Sequence, residues 1–224
     1  MKNLSFSVTK EVLDLGVKII TARITGVKNI ESDAAFDLYK NAELEKVKQE
    51  WAGKTYKDDP VLGGFRDLHT KVGRSNREYV ASPEALRRSF LERDRFPHIN
   101  TVVDIYNLVS LKTGLALGAH DIDKVQGNIT LRLTKGDEKF MPLGKSEPVA
   151  VFPGEYGYVD DGNSVICRLE VLQVEPTKIT PATNDIFLII EGNANTAAEY
   201  VKQVADEVCE LIVKFCGGKV LFLI

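Results

Sequence analysis

The chain is poor in the residues that usually announce a mechanism. Its 224 residues hold three cysteines, three histidines, two methionines and one tryptophan. Cys167, Cys209 and Cys216 form no CxxC pair, and an odd count suits reduced thiols in a cytosol better than a disulfide framework. His69, His98 and His120 are far apart, so no zinc-ligand spacing exists and no metal is expected. Apolar runs are short, "IFLII" (186–190) being typical, whereas a bilayer span needs about 18 or more residues. The opening "MKNLSFSVTKEVLDLG" lacks the apolar core of a signal peptide. A cytoplasmic chain with no membrane contact is therefore expected. Neither charge sign dominates: 29 Lys and Arg against 32 Asp and Glu leave a net charge of −3. Any nucleic acid would have to meet a local basic patch. GxGxxG, GxxxxGK[ST], HExxH and GxSxG are all missing, which removes the usual signals for dinucleotides, P-loop phosphates, zinc proteases and serine hydrolases.

What is present is a hydrophobic content of 44%, enough for one substantial core. Residues 16–29 are β-rich and read as a first strand; residues 33–53 read as a helix with an acidic start and a glycine stop. A shorter helix is expected after Asp59. Another opens at "SPEAL", with Ser82 as N-cap and Pro83 at the first helical position. Helix 99–113 follows, with Val102, Val103, Tyr106, Val109 and Ser110 on one face. "GNITLRLTKG" alternates as a strand, "EYGYVDDGNSVICRLE" reads as two strands around a turn at 160–163, and "NDIFLIIEGN" as a buried strand. The last helix begins with a Thr196/Glu199 capping box, carries the stripe Val201, Val204, Ala205, Val208, Leu211, Ile212, Phe215, and stops at Gly217-Gly218. "KVLFLI" ends in a strand or a buried tail. There is no regular βαβ rhythm. The expected fold is a single α+β domain, 1–224, with a mixed β-sheet and flanking helices.

One segment gathers chemistry. After the helix 99–113, Leu115 to Gly118 make a small apolar connection that lets a ligand approach the backbone. His120, Asp121 and Asp123 follow directly, with Asn107 and Asp104 on the helix before. A functional pocket around residues 104–123 is one reading; surface decoration or satisfied core groups is the other. Cys167 sits in an alternating strand, and a nucleophilic role would need a nearby base. A buried structural thiol is the simpler reading.

"RFPHINTVVDIYNLVSLKTGLALGAHDIDKVQGNITLRL" resembles the tRNA-editing domain of the phenylalanyl-tRNA synthetase beta subunit. Asp104, Asn107, Gly114, Asp121, Asp123, Lys124, Gly127 and Arg132 occupy the places of that family's helix and turn motifs. The resemblance runs over 66–190, is most specific over 99–133, and continues through "EPVAVFPGEYGYVDDGNSVICRLE". It implies that residues 1–60 and the helix 195–217 pack on that core. It also implies the fold of that editing domain and, for a freestanding copy, a trans-acting aminoacyl-tRNA deacylase.

Such a hydrolase would act on the aminoacylated 3′ end of tRNA by placing a water against an activated ester, without metal or cofactor. The resemblance makes His120, Asn107 and Glu155 the catalytic candidates, and His98, Asp104, Gly118, Asp121 and Arg168 the substrate pocket. Two departures stand out: Gly118 replaces a pocket histidine, and Arg168 replaces a glutamate that selects tyrosine. A different amino acid is therefore expected to be recognised. Arg66, Arg74, Arg77, Arg87 and Arg88 are the candidate tRNA contacts, their other reading being a solvated helix face. Two rival functions remain open: a tRNA- or RNA-binding module without catalysis, and a protein that binds a free amino acid or nucleotide in the same pocket.

Overall fold

A strand apolar at nearly every position needs cover on both faces. In the computed structural model, which describes residues 4–223, the segment around Ile186–Ile190 has it. In chain order the elements are β1 (Phe6–Val8), α1 (Lys10–Asp14), β2 (Lys18–Thr25), α2 (Ala34–Trp51), α3 (Pro60–Lys71), α4 (Ser82–Arg93), α5 (Thr101–Thr113) and β3 (Ala116–Asp121). They continue with β4 (Ile129–Leu133), β5 (Tyr156–Asp160), β6 (Val165–Arg168), β7 (Leu172–Gln173), β8 (Asp185–Gly192), α6 (Ala198–Cys216) and β9 (Lys219–Phe222).

The strands form two sheets where the sequence suggested one. The first has the order β1-β4-β5-β6-β7 and is mixed, because β1 pairs parallel with β4 and the rest are antiparallel. The second, β3-β8-β2-β9, is antiparallel throughout. The molecule is one α+β domain in three layers. Between the sheets, Phe6, Ile129, Leu131 and Tyr158 meet Ala116, Phe187 and Ile189. On the far side of the second sheet, Ile24, Leu188 and Ile190 meet Val102, Ile105 and Val109 of α5 and Val201, Val204 and Val208 of α6. Alternation along β8 thus feeds two cores. Each fully buried side chain of this size contributes roughly 1.5–3 kcal/mol.

Local signals hold at some helix ends and fail at others. Asp33 caps α2 by accepting from the Phe36 N–H at 2.7 Å, and Asn100 caps α5 by accepting from Val103 at 3.1 Å. At α4 the cap position is Ala81, which has no side chain to offer, and Ser82 is already helical. The Thr196/Glu199 capping box does not form either. Ala197 is the cap residue, and the Thr196 hydroxyl is taken up by the Asn193 turn, donating to its carbonyl at 2.7 Å. The supposed connection after Gly114 is strand β3, paired with β8 from Ala116 to Asp121. Its small residues keep a flat surface rather than a loop. Strand β1 and helix α1 have no counterpart among the sequence expectations, because elements of three and five residues show too little periodicity. Among the described residues no helix is long and apolar enough to cross a membrane.

Candidate functional site

Helix α5 is buried almost all round. From Thr101 to Leu111 every residue is buried except Asn107, which is half-buried. Asn107 is half-buried because a cavity of about 200 Å³ opens there, where α5, the β3 edge of the second sheet and the first sheet meet. Val103, Tyr106 and Asn107 form one wall and Ala116, Leu117 and Gly118 another. Ile189 and Glu191 of β8 face Tyr158 and Cys167 of the first sheet across it, and Glu170 to Gln173 close the remaining side. Ile99, Leu143 and Leu172 also line it and stand 55%, 48% and 39% exposed, so the mouth has an apolar rim.

The inner end is polar and buried. Leu169 leaves β6 with φ 51°, a left-handed conformation that costs a leucine of order 1 kcal/mol. Its N–H donates to the Tyr156 carbonyl at 3.0 Å, and the turn carries the next side chain, Glu170, between the sheets. Glu170 Oε1 meets His69 Nε2 at 2.5 Å, while Oε2 accepts from the Tyr156 hydroxyl. His69 Nδ1 lies 2.9 Å from the Tyr79 carbonyl, so that nitrogen carries the proton and donates. Burial presses this imidazole towards the neutral form. The hydrogen bond to Glu170 and its charge outweigh burial and raise the pKa.

Glu191 is the second buried acid. Its Oε2 accepts from the Tyr158 hydroxyl; its Oε1 is buried and has no hydrogen-bond partner. Burial, with the Glu170 charge added, pushes its pKa up to about 8. Cys167 also faces the cavity, but burial and then the two carboxyls push its thiol well above the usual range. That makes it a poor nucleophile at neutral pH. Its Sγ donates to the Leu169 carbonyl at 3.2 Å.

Of the residues singled out in the sequence, Asn107 and Gly118 line this cavity. A Cβ on Gly118 would collide with Gln173 Nε2, so the Gln173 amide fills the space where the resemblance puts a histidine. His120 is on the same face of β3, about 7 Å further along. It is fully buried there, with Nδ1 2.9 Å from the Thr177 hydroxyl, and is not part of the cavity wall. Asp121 organises a turn, accepting from the Asp123 N–H at 3.0 Å and the Thr183 hydroxyl at 2.9 Å. Asp104 pins the loop before α5. It accepts from the Ile99 N–H at 2.9 Å and pairs with His98 at 2.6 Å and Lys40 at 3.1 Å, away from the cavity.

Arg168 and Glu155 are elsewhere again. Cys167 pairs with Tyr158 and faces the second sheet, so Arg168, next in β6, points to the opposite face. There its guanidinium bonds Glu155 at 2.7 and 2.9 Å, and Arg74 bonds the same buried carboxylate. Arg66 pairs with Glu84 at 2.9 Å. Arg87 is buried over the Trp51 ring. It pairs with Asp59 and donates to the Leu111 and Lys112 carbonyls at 3.0 and 3.2 Å. Arg77 and Arg88 are exposed. The residues that sequence reasoning missed are Glu170, Glu191, His69, Tyr158 and Gln173.

The B3/4 domain profile matches residues 65–217, a span that contains every residue lining the cavity. The chain belongs to the B3/4 domain family. Curated relatives of this B3/4 domain protein include the phenylalanine–tRNA ligase beta subunit of Aquifex aeolicus (strain VF5), 32% identical over 144 residues. That match covers 54% of this chain and 18% of the relative. The corresponding subunit of Vibrio parahaemolyticus serotype O3:K6 is 28% identical over 153 residues, 58% of this chain and 19% of the relative. The B3/4 domain protein thus spans less than a fifth of these relatives. Its fold is shared with an N-terminal fragment of the phenylalanyl-tRNA synthetase beta subunit from Pyrococcus horikoshii, at TM-score 0.53 and 15% identity. That match covers 98% of this chain and 51% of the other. Among the described residues no group of three His, Cys, Asp or Glu side chains is placed to hold a metal ion.

Proposed function

We infer that this protein is a trans-acting aminoacyl-tRNA deacylase that hydrolyses the ester of misacylated tRNA. The supporting observation is the cavity itself: it is built wholly from residues within the B3/4 domain match, with an apolar rim, amide groups in its wall and buried acid at its inner end. Among the described residues the Asn107 side chain takes no protein hydrogen-bond partner, so its amide is free to meet a ligand.

The reaction needs little beyond placement. The apolar rim takes the terminal nucleoside, and Asn107 and Gln173 hold a water and polarise the ester carbonyl. Water adds to that carbon, the bond to the ribose oxygen breaks, and the proton lost by the water goes to the departing oxygen. His120 and Glu155, named from the resemblance, are outside the cavity and are assigned no chemical step. The test is hydrolysis of a panel of mischarged tRNAs by purified protein. At least one is expected to be deacylated, and Asn107→Ala should slow that reaction on the order of 10²-fold, with folding unchanged. No hydrolysis of any member of a full panel would overturn the reading.

One observation favours a second reading. Arg66, Arg74 and Arg87 are engaged in internal ion pairs, which leaves little of the expected basic patch for tRNA. A protein that binds a free amino acid or a similar small molecule needs no such patch. Salt-independent ligand binding without measurable tRNA affinity would select it.

A further inference from the structure

We propose that the inner end of the cavity is a subsite for a positively charged amine, which Glu191 Oε1 accepts as counter-ion. The proposal deepens the deacylase reading and names the group that the site selects.

The charge inventory around Glu191 is one-sided. Neither Lys, Arg nor His is among the residues lining the cavity, whereas two carboxyls are. The ionisable groups packed around Glu191 are Tyr158 and Tyr156 of β5, Cys167 of β6 and Glu170, with His69 of α3 behind Glu170. Of these only His69 can be a cation, and it is committed to Glu170. Both Glu170 oxygens are bonded, Oε1 to His69 and Oε2 to Tyr156. On Glu191 the Tyr158 hydroxyl occupies Oε2, and Oε1 is left over, buried and without a partner. A buried oxygen left without a partner is costly unless something else meets it. Walls of this sort commonly recruit a ligand donor, and the missing component here is positive charge.

The amine changes the protonation of its partner. The protein itself offers Glu191 no countercharge, and burial keeps it protonated at neutral pH. An ammonium against Oε1 supplies the charge, so the carboxyl ionises and its proton leaves to solvent. A neutral hydroxyl in the same place would leave the proton where it is. Binding of the right ligand is therefore accompanied by release of close to one proton per molecule at pH 6.5. In an aminoacyl ester the amine has two sources, the α-amino group and the terminal amine of a basic side chain.

The experiment titrates the protein by calorimetry at pH 6.5, in two buffers of different ionisation enthalpy. L-Leucinamide carries only an α-amine, N-acetyl-L-lysinamide only a side-chain amine, and N-acetyl-L-leucinamide neither. At least one amine is expected to bind tenfold or more tighter than the acetylated leucine compound, with buffer-dependent heat that reports proton release. Which one does so identifies the source. Glu191→Gln, which still accepts the Tyr158 hydroxyl, should abolish the proton release and weaken the amine at least tenfold. The wild-type comparison decides alone if that variant fails to fold. Amines that bind no better than the neutral compound, or that bind without releasing a proton, overturn the proposal. The outcome is separable from that of the deacylase reading. Hydrolysis of mischarged tRNA without an amine effect removes only the subsite, and an amine effect without hydrolysis removes only the deacylase.

Discussion

A histidine buried without charge compensation behaves differently from one buried beside an acid, and this chain contains both. His120 is held neutral: burial pushes its pKa down to about 3. The unfolded chain takes up a proton near pH 6.5 that the folded chain refuses. The stability tied to His120 is therefore present above that pH and is lost as pH falls from about 6.5 towards 3. His120→Leu should flatten this part of the stability–pH curve in urea titrations, while removing the Thr177 hydroxyl's partner. A variant that stays as acid-sensitive as the parent would assign the loss to other groups. Glu191 works in the reverse sense. Its folded pKa of about 8 lies above the unfolded value of 4.5, so its contribution is fully present below pH 4.5 and is lost as pH rises towards 8. His69, raised from 6.5, adds a loss in the same direction. Glu191→Gln should therefore make the protein less sensitive to rising pH between about 5 and 8, measured by the same titrations.

At the scale of elements, α5 is the part that the sequence described best and least. Its extent, its apolar face and its glycine stop were all legible, because they depend on neighbours three and four residues apart. Its burial on every side was not, since that depends on α2, α4, α6 and β3 arriving from elsewhere. The same distinction separates the two halves of the candidate site. Asn107 and Gly118 belong to one local motif and could be found. Glu170 is brought in by a left-handed leucine and Glu191 by the register of β8 against β3, and no local pattern encodes either. Arg87 shows a residue type read for the wrong surface. It tethers the C-terminal carbonyls of α5, a use of arginine that only the assembled helices reveal. Arg87→Ala would leave Asp59 without its ion pair and α5 without its tether. The expected cost is about 3–5 kcal/mol, a fall in Tm of roughly 10 °C, measured by thermal unfolding.

At the scale of the whole molecule, three of the five candidate arginines are turned to internal acids. Arg66, Arg74 and Arg87 hold Glu84, Glu155 and Asp59, and only Arg77 and Arg88 of the five sequence candidates remain exposed. If tRNA binds, replacing both exposed arginines should lower the slope of log K against log salt by about one unit for each phosphate they neutralise. Arg66→Gln should leave that slope unchanged and act on stability instead. Filter binding across a range of salt concentrations reads both. A slope insensitive to Arg77 and Arg88 would move the RNA-facing surface to other residues. The α+β class and most helices followed from periodicity; the division into two sheets did not, because β2 and β8 are individually ambiguous as to which faces they cover.

The pairing of β2 with β8 carries one more consequence. It joins Lys18–Thr25 to Asp185–Gly192, so the central pair of the second sheet closes across about 160 intervening residues. At synthesis rates of about 5–20 residues per second, β2 leaves the ribosome roughly 10–30 s before its partner exists. Throughout that interval an apolar strand has an open edge and no sheet to join, a state in which chains aggregate. Glu191 enters with β8, so the cavity cannot form on a nascent chain before the sheet does. A ribosome-stalled chain released before residue 185 should be protease-sensitive throughout and dependent on chaperones for solubility, whereas one that extends beyond β9 should resist both proteolysis and precipitation.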